Sequence, residues 1–290
     1  MDVTPQPDAL PKVRELLKKY DLRPQKGLGQ HFLADPNILR KIVQAAELTP
    51  DTVVLEIGPG LGMLTRWLAQ TAGRVVAVEL DEGMSGLLQA ELSDLPNFEL
   101  VQGDILKLDP VMLVRDLESL LPQSPPEYMV VANLPYYITS AAIRHLLEAD
   151  PPPHRLVLTV QYEVAKRIVA EPGDMSLLAV SIQVYGRPRI IAKIPAGAFI
   201  PPPKVDSAVV RIDTYESLPF AVADVEIFFR VVRAGFAQKR KQLKNALAAG
   251  LGLPPADVAA AMARAGVEPQ RRAQTLNLVE WADLAGELGL

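Results

Sequence analysis

Short apolar runs alternate with amphipathic stretches through the first half of the chain. Val53-Val54-Leu55, Val75 to Val78, Phe98 to Val101, Met129 to Ala132 and Leu156 to Val160 are brief and mostly rich in β-branched residues. Runs of that length and composition predict strands buried on both faces. Between and after them, the stretches near 61–70, 82–92, 139–148 and 162–170 carry helical spacing. An earlier helix is opened by Asp35 as N-cap and Pro36 in the first turn, and Ile38, Ile42, Ala45 and Ala46 form its apolar stripe. Alternation of this kind predicts an α/β class with a doubly wound sheet. The rhythm then changes. Residues 177–185, 189–194 and 207–213 predict three strands without a long helix between them, and hence an antiparallel sheet edge. From about 222 onward only helical patterns remain, broken near Pro254 and Pro269. The expected organisation is a large domain over 1–218 and a small all-helical domain over 219–290.

Composition narrows the class. The chain has 290 residues, 49% hydrophobic and 22% charged, enough for one large core and one small one and unlike a disordered protein. It contains no cysteine, which excludes disulfides, thiolate metal sites and covalent cysteine catalysis. No apolar run reaches the roughly 18 residues of a membrane helix, and Met1 to Pro5 lack a signal-peptide core, so no membrane association and a cytoplasmic location are expected. Proline clusters at Pro125-Pro126, Pro151 to Pro153, Pro201 to Pro203 and Pro254-Pro255 read as rigid loops. The net charge of -4 hides an asymmetry. Residues 42–185 hold 8 Lys and Arg against 19 Asp and Glu, whereas residues 12–41 hold 8 against 3 and residues 186–250 hold 11 against 5. Local basic regions on an acidic chain suit a polyanionic partner.

Candidate chemistry sits at the ends of the expected strands, where open α/β sheets bind ligands. Gly58, Gly60 and Gly62 follow the first strand in a G-x-G-x-G turn that admits close approach of a cofactor. Glu79 ends the second strand and can accept hydrogen bonds from ribose hydroxyls. Asp104 follows the third and can accept from an adenine amino group. Asn133-Leu134-Pro135-Tyr136 follows the fourth. An exocyclic adenine amine is a poor nucleophile because its lone pair is delocalised. The Asn133 side-chain oxygen and the Leu134 carbonyl can hold its two hydrogens and aim the lone pair at an activated methyl. Pro135 fixes the turn, and Tyr136 can stack on a base taken out of its helix. Positioning does most of this work, so no shifted general base is required. Lys239, Arg240, Lys241 and Lys244 suit phosphate contact, and Lys18, Lys19, Arg23 and Lys26 suggest a basic arm over the cofactor cleft. His145 and His154 read as structural, and no grouping argues for a metal.

Five blocks of sequence resemble the ribosomal RNA adenine dimethyltransferase family. They are Gly29-Gln30-His31-Phe32-Leu33, Glu56 to Gly62, Asn133 to Thr139, Ala198 to Ser207 and Phe236 to Asn245, spread over about 23–288. The resemblance implies a Rossmann-like class I methyltransferase core with a mixed seven-stranded sheet and a helical C-terminal domain. It implies S-adenosylmethionine as cofactor and dimethylation of two adjacent adenosines near the 3′ end of 16S rRNA in a small-subunit precursor, by a monomer. Carried over by position, His31, Leu33, Gly58, Gly60, Glu79, Asp104 and Asn133 would hold the cofactor. Leu134, Pro135 and Tyr136 would form the target-base turn, with Phe199 facing the base from the other side. His31 stands where many relatives have asparagine, and the loop Gly173 to Leu177 is short for the family. Two other readings stay open: a resistance-type methyltransferase of large-subunit rRNA, and an assembly factor that acts mainly by binding.

Overall fold

A computed structural model describes residues 13–115, 127–218, 222 and 224–289; the Pro125-Pro126 loop and the residues up to Lys12 lie outside these. Two compact units emerge. The first takes the chain up to Ala165 and then Arg189–Thr214, and the second takes Lys166–Pro188 and the chain from Tyr215.

In chain order the elements up to the last strand are α1 (Val13–Lys19), β1 (Phe32–Leu33), α2 (Pro36–Ala46), β2 (Val53–Ile57), α3 (Met63–Ala69), β3 (Arg74–Glu79), α4 (Glu82–Glu91), β4 (Phe98–Gln102), α5 (Pro110–Val114), β5 (Tyr128–Asn133), α6 (Thr139–Leu147), β6 (Arg155–Gln161), α7 (Tyr162–Ile168), α8 (Leu177–Gln183), β7 (Gly186–Ile194), β8 (Phe199–Ile200) and β9 (Ser207–Thr214). Seven strands form one sheet in the order β4-β3-β2-β5-β6-β9-β7. From β4 to β6 the strands run parallel, and β9 runs antiparallel to β6. Four of the five apolar runs are buried as their lack of alternation requires: Val54, Leu55, Val75, Val76, Val130, Val131, Leu156 and Val157 are each 0% exposed. Phe98 to Val101 is the exception, because β4 is the edge of the sheet and its residues are half-buried or exposed. The chain order reverses between β2 and β5, which opens a crevice at their carboxyl ends. Asp35 caps α2 as expected, accepting from the Asn37 amide at 2.8 Å.

A second, two-stranded sheet could not be read from periodicity. Phe32 pairs with Ile200 and Leu33 with Phe199, which joins the Gly29–Leu33 block to the start of the proline block across the chain. Two-residue strands carry no period, and their partner lies far away in sequence.

Residues 177–185 correct the sequence reading. The run Leu177 to Gln183 is the helix α8 and not a strand. Ser176 caps it by accepting from the Ala179 amide at 3.2 Å, and the buried positions Ala179, Val180 and Ile182 follow no two-residue alternation. A short, mostly apolar run is ambiguous between strand and helix, and here the cap and the tertiary contacts decide. Val180 joins the core of the helical unit with Phe228, Val232 and Leu247. That unit is therefore built from two stretches of chain, 166–188 as well as the C-terminal helices α9 (Val225–Phe236), α10 (Leu243–Leu251), α11 (Pro255–Arg264) and α12 (Leu278–Leu288). The short Gly173 loop is pinned within it, because the Gly173 and Met175 amides both donate to the Gln274 carbonyl, at 2.8 and 3.2 Å. Gly235 on α9 makes room for Trp281, whose ring would stand 2.5 Å from any added Cβ. Among the described residues no helix is long and apolar enough to cross a membrane.

Candidate active site

Strand register places the expected site residues side by side. Ile57 pairs with Val78, Glu79 with Gln102, Glu56 with Val131 and Asn133 with Thr159. Continuing those registers by one or two residues brings Gly58, Glu79 and Asn133 to the same level at the sheet's carboxyl end. The amides of Gly58 and Gly103 hold the turns down, donating to the Val78 and Glu79 carbonyls at 2.9 and 2.8 Å. A cleft of about 1060 Å3, counting its open mouth, lies over these ends. His31, Leu33, Gly58, Gly60, Glu79, Asp104, Asn133, Leu134, Pro135 and Tyr136 all line it.

The glycine turn needs its glycines. Gly58, Gly60 and Gly62 have φ of 65, 58 and 74°, and a Cβ on Gly60 would stand 3.0 Å from the Phe32 ring. Glu79 is buried and ties this turn to its own: Oε1 accepts from the Asp81 amide at 2.9 Å and Oε2 from the Gly60 amide at 3.3 Å. Burial pushes its pKa above the usual carboxylate range. Asp104 accepts from the Leu106 amide at 3.1 Å and has Lys107 at 3.8 Å.

At the target turn, Asn133 Nδ2 donates to the His31 carbonyl at 3.0 Å. With the amide hydrogens directed there, Oδ1 is the atom left to accept. The Pro135 carbonyl accepts from the Ile138 amide at 3.2 Å, while no turn bond among the described residues falls on the Leu134 carbonyl. Two acceptors are thus available at adjacent residues, as the holding of an amine requires. Tyr136 shares a 2.6 Å hydrogen bond with Ser207 through its hydroxyl, and its ring stacks on His31 at 5.9 Å between centroids.

One residue is not where the sequence reading put it. Phe199 does not line the cleft; its side chain is 2% exposed within the core of the first unit. Its backbone is held by the pairing with Leu33, and its ring joins Phe32 and Leu33 in that core. The N-terminal arm is more neutral than its sequence suggests. Lys19 Nζ and Tyr20 Oη both bind Glu91 on α4, at 2.6 and 2.7 Å, and Gln25 and Gln30 bind Asp81 at 2.7 and 3.1 Å. His145 holds the Leu108 carbonyl, a structural role. In the helical unit, Lys239, Arg240 and Lys241 are exposed in the turn between α9 and α10, and Lys244 is half-buried on α10. Among the described residues none of the four has an ion-pair partner.

Glu56, the first residue of the glycine-turn block, is the most unusual group in the cleft. It is 1% exposed, and its Oε2 has no hydrogen-bond partner among the described residues. Burial, with the Glu79 charge adding to it, pushes its carboxyl up to about 8. A signal was present in the sequence: an acid at a position where both sheet faces are covered. A wall carrying Glu56, Glu79 and Asp104 suits a ligand with positive charge and hydroxyl donors, which fits S-adenosylmethionine.

The fold is that of a Rossmann-like class I methyltransferase with an added helical unit. The family model for ribosomal RNA adenine dimethylase matches residues 22–288. A Dehalococcoides mccartyi protein named ribosomal RNA small subunit methyltransferase A is 46% identical over 275 residues, 95% of this chain and 92% of its own. A crystal structure of the 23S rRNA methyltransferase ErmE is 30% identical with a TM-score of 0.70, covering 89% of this chain and 100% of its own. A dimethyladenosine transferase from Plasmodium falciparum is 25% identical with a TM-score of 0.72, covering 90% and 99%. The chain belongs to the ribosomal RNA adenine dimethylase family.

Glu56 makes the stability of the ligand-free protein depend on pH. Below the ordinary glutamate range the carboxyl is neutral in both folded and unfolded chains. As pH rises toward about 8 the unfolded chain loses the proton and the folded one keeps it, so stability falls across that window and levels off above it. The full effect is on the order of several kcal/mol. Thermal melts of the wild type and Glu56→Gln between pH 5 and 8.5 measure it. The wild type should lose stability relative to the variant as pH rises; a difference constant with pH would remove Glu56 as the cause.

Proposed function

We propose that this chain dimethylates the exocyclic amines of two adjacent adenosines near the 3′ end of 16S rRNA, acting as a cytoplasmic monomer on a small-subunit precursor. The observation that carries the reading is Asn133, held through Nδ2 by the His31 carbonyl, at the strand end level with Gly58 and Glu79 and beside Tyr136. S-adenosylmethionine, when bound, supplies a methyl already activated on a sulfonium. His31, Leu33, Gly58, Gly60, Glu79, Asp104 and Asn133 hold it. Asn133 Oδ1 and the Leu134 carbonyl accept the two amine hydrogens, which orients the lone pair. Tyr136 stacks on the extruded base, and Pro135 keeps the turn from adapting away from that geometry. Lys239, Arg240, Lys241 and Lys244 dock the RNA.

A second reading has one specific support, the likeness to a 23S rRNA methyltransferase. The 46% identity to a protein named for the small subunit favours the first. Incubation with labelled S-adenosylmethionine and undermethylated small subunits, then nucleoside analysis, tests the choice. Label should appear as N6,N6-dimethyladenosine in small-subunit RNA. Label in large-subunit RNA alone would support the second reading, and no label in either would favour a binding role. In the same assay Asn133→Ala should lower transfer by about 100-fold or more while subunit affinity barely changes. Near-normal turnover in that variant would sink the role given to Asn133.

Docking through the cationic turn predicts a salt signature. Neutralising Lys239, Arg240, Lys241 and Lys244 together should weaken subunit binding and flatten its salt dependence. Each lost phosphate contact should take up to about one unit from the slope of log affinity against log salt. Cofactor affinity should not change. An unchanged slope would move RNA docking to another surface, with the basic segment between residues 12 and 41 next in line.

A further inference from the structure

The segment from Pro201 to Ser207 reaches the stacked rings of His31 and Tyr136, one at each of its ends. At one end the Pro201 carbonyl lies 2.8 Å from His31 Nδ1, which must carry the proton to donate to it. At the other end Ser207 Oγ lies 2.6 Å from Tyr136 Oη. Between these two anchors the rings of His31 and Tyr136 stack, with planes 24° apart.

Ser207 is no surface contact. It is 0% exposed and is the first residue of β9, fixed in register opposite Gln161 on β6. Its hydroxyl therefore has a set position, and a buried hydroxyl strongly favours keeping its partner. Tyr136 has two rotatable bonds beyond a backbone already held by Pro135 and by the Thr139 amide on its carbonyl. Anchoring the phenol oxygen fixes the direction of the ring's long axis, and the stack on His31 restrains rotation about that axis, on which the oxygen itself lies. Burial also pushes the Tyr136 pKa up, which keeps the phenol protonated and able to share the bond.

We infer that Ser207 is a positioning residue for the methyl-accepting base: its buried hydroxyl fixes where the Tyr136 ring points, while the stack on His31 holds the plane on which the base stacks beside Asn133. The inference rests on the methyl-transfer reading above and goes beyond it. It gives the proline-lysine block a route to the chemistry that does not pass through Phe199, which is buried away from the cleft. Ser207 touches no substrate in this account. It acts through the aromatic ring, and the Pro201 carbonyl supports the same ring through His31.

A double-mutant cycle tests it. Ser207→Ala, Tyr136→Phe and the double variant are compared by single-turnover methyl transfer, cofactor affinity and thermal midpoint. Each single variant should lower the rate by about tenfold, the effect of one orienting hydrogen bond. The double variant should fall no further, because both changes remove the same bond. Cofactor affinity should stay at the wild-type level in all three. A merely structural serine would lower the thermal midpoint without slowing each folded molecule. A Ser207→Ala rate equal to wild type, or a double variant that loses the product of the two single effects, would overturn the inference. Should Ser207→Ala fail to fold, Tyr136→Phe decides alone, and a wild-type rate in it would overturn the inference equally. A wild type that makes no methylated adenosine is seen before any variant is assayed; that result would fell the functional reading, and the role of Ser207 with it.

Discussion

Parallel register is the constraint from which the rest follows. The central strands β2, β3 and β5, packed on both faces, cannot slip by one residue without turning buried valines and leucines to the other side. Because β2, β3 and β5 are locked in this way and the edge strand β4 is paired in register with β3, the glycine turn, Glu79, the Gly103-Asp104 turn and Asn133 arrive at one level of the sheet. No long-range instruction is needed to bring the acidic wall and the Asn133 to Tyr136 turn together. They are neighbours because their strands are neighbours.

What register does not supply is orientation, and that comes from a few hydrogen bonds made across large sequence distances. The His31 carbonyl sets the Asn133 amide, the Gly60 and Asp81 amides set the Glu79 carboxylate, and Ser207 sets the Tyr136 ring. Each works in a largely water-excluded place, where an unmade bond is costly and a made one is directional. The acidic wall carries the opposite tension. Glu56 and Glu79 are buried near one another and both are pushed toward the neutral form. Such an arrangement costs stability in the empty protein and suits a cationic ligand, a common bargain at functional sites.

Much of this was legible in the sequence, for physical reasons that differ by element. The central strands were readable because a run buried on both faces must be apolar throughout. The gathering of Gly58, Glu79, Asp104 and Asn133 at one cleft was legible because all four fall at or just beyond strand ends, where sheets of this kind present ligand sites. The helix at Leu177 reads as a strand from sequence because a short, mostly apolar run looks alike in either state, and the Ser176 cap is the signal that separates them. Phe199 was misplaced because its backbone is held by a two-residue pairing with Leu33 that has no periodicity. Glu56 and Ser207 were passed over because their importance lies in burial and in partners seventy or more residues away, or in the lack of a partner, which residue type alone does not reveal.

The claim that the aligned strand ends form the cofactor site is tested most directly by calorimetric titration of S-adenosylmethionine into the wild type and into folded Glu79→Ala. The account predicts one site per chain and a loss of affinity in the variant of roughly 10- to 100-fold, the worth of a charged acceptor meeting hydroxyl donors. Equal affinity in the two proteins would contradict it, and would mean that the level shared by Gly58, Glu79 and Asn133 is not where the cofactor lies.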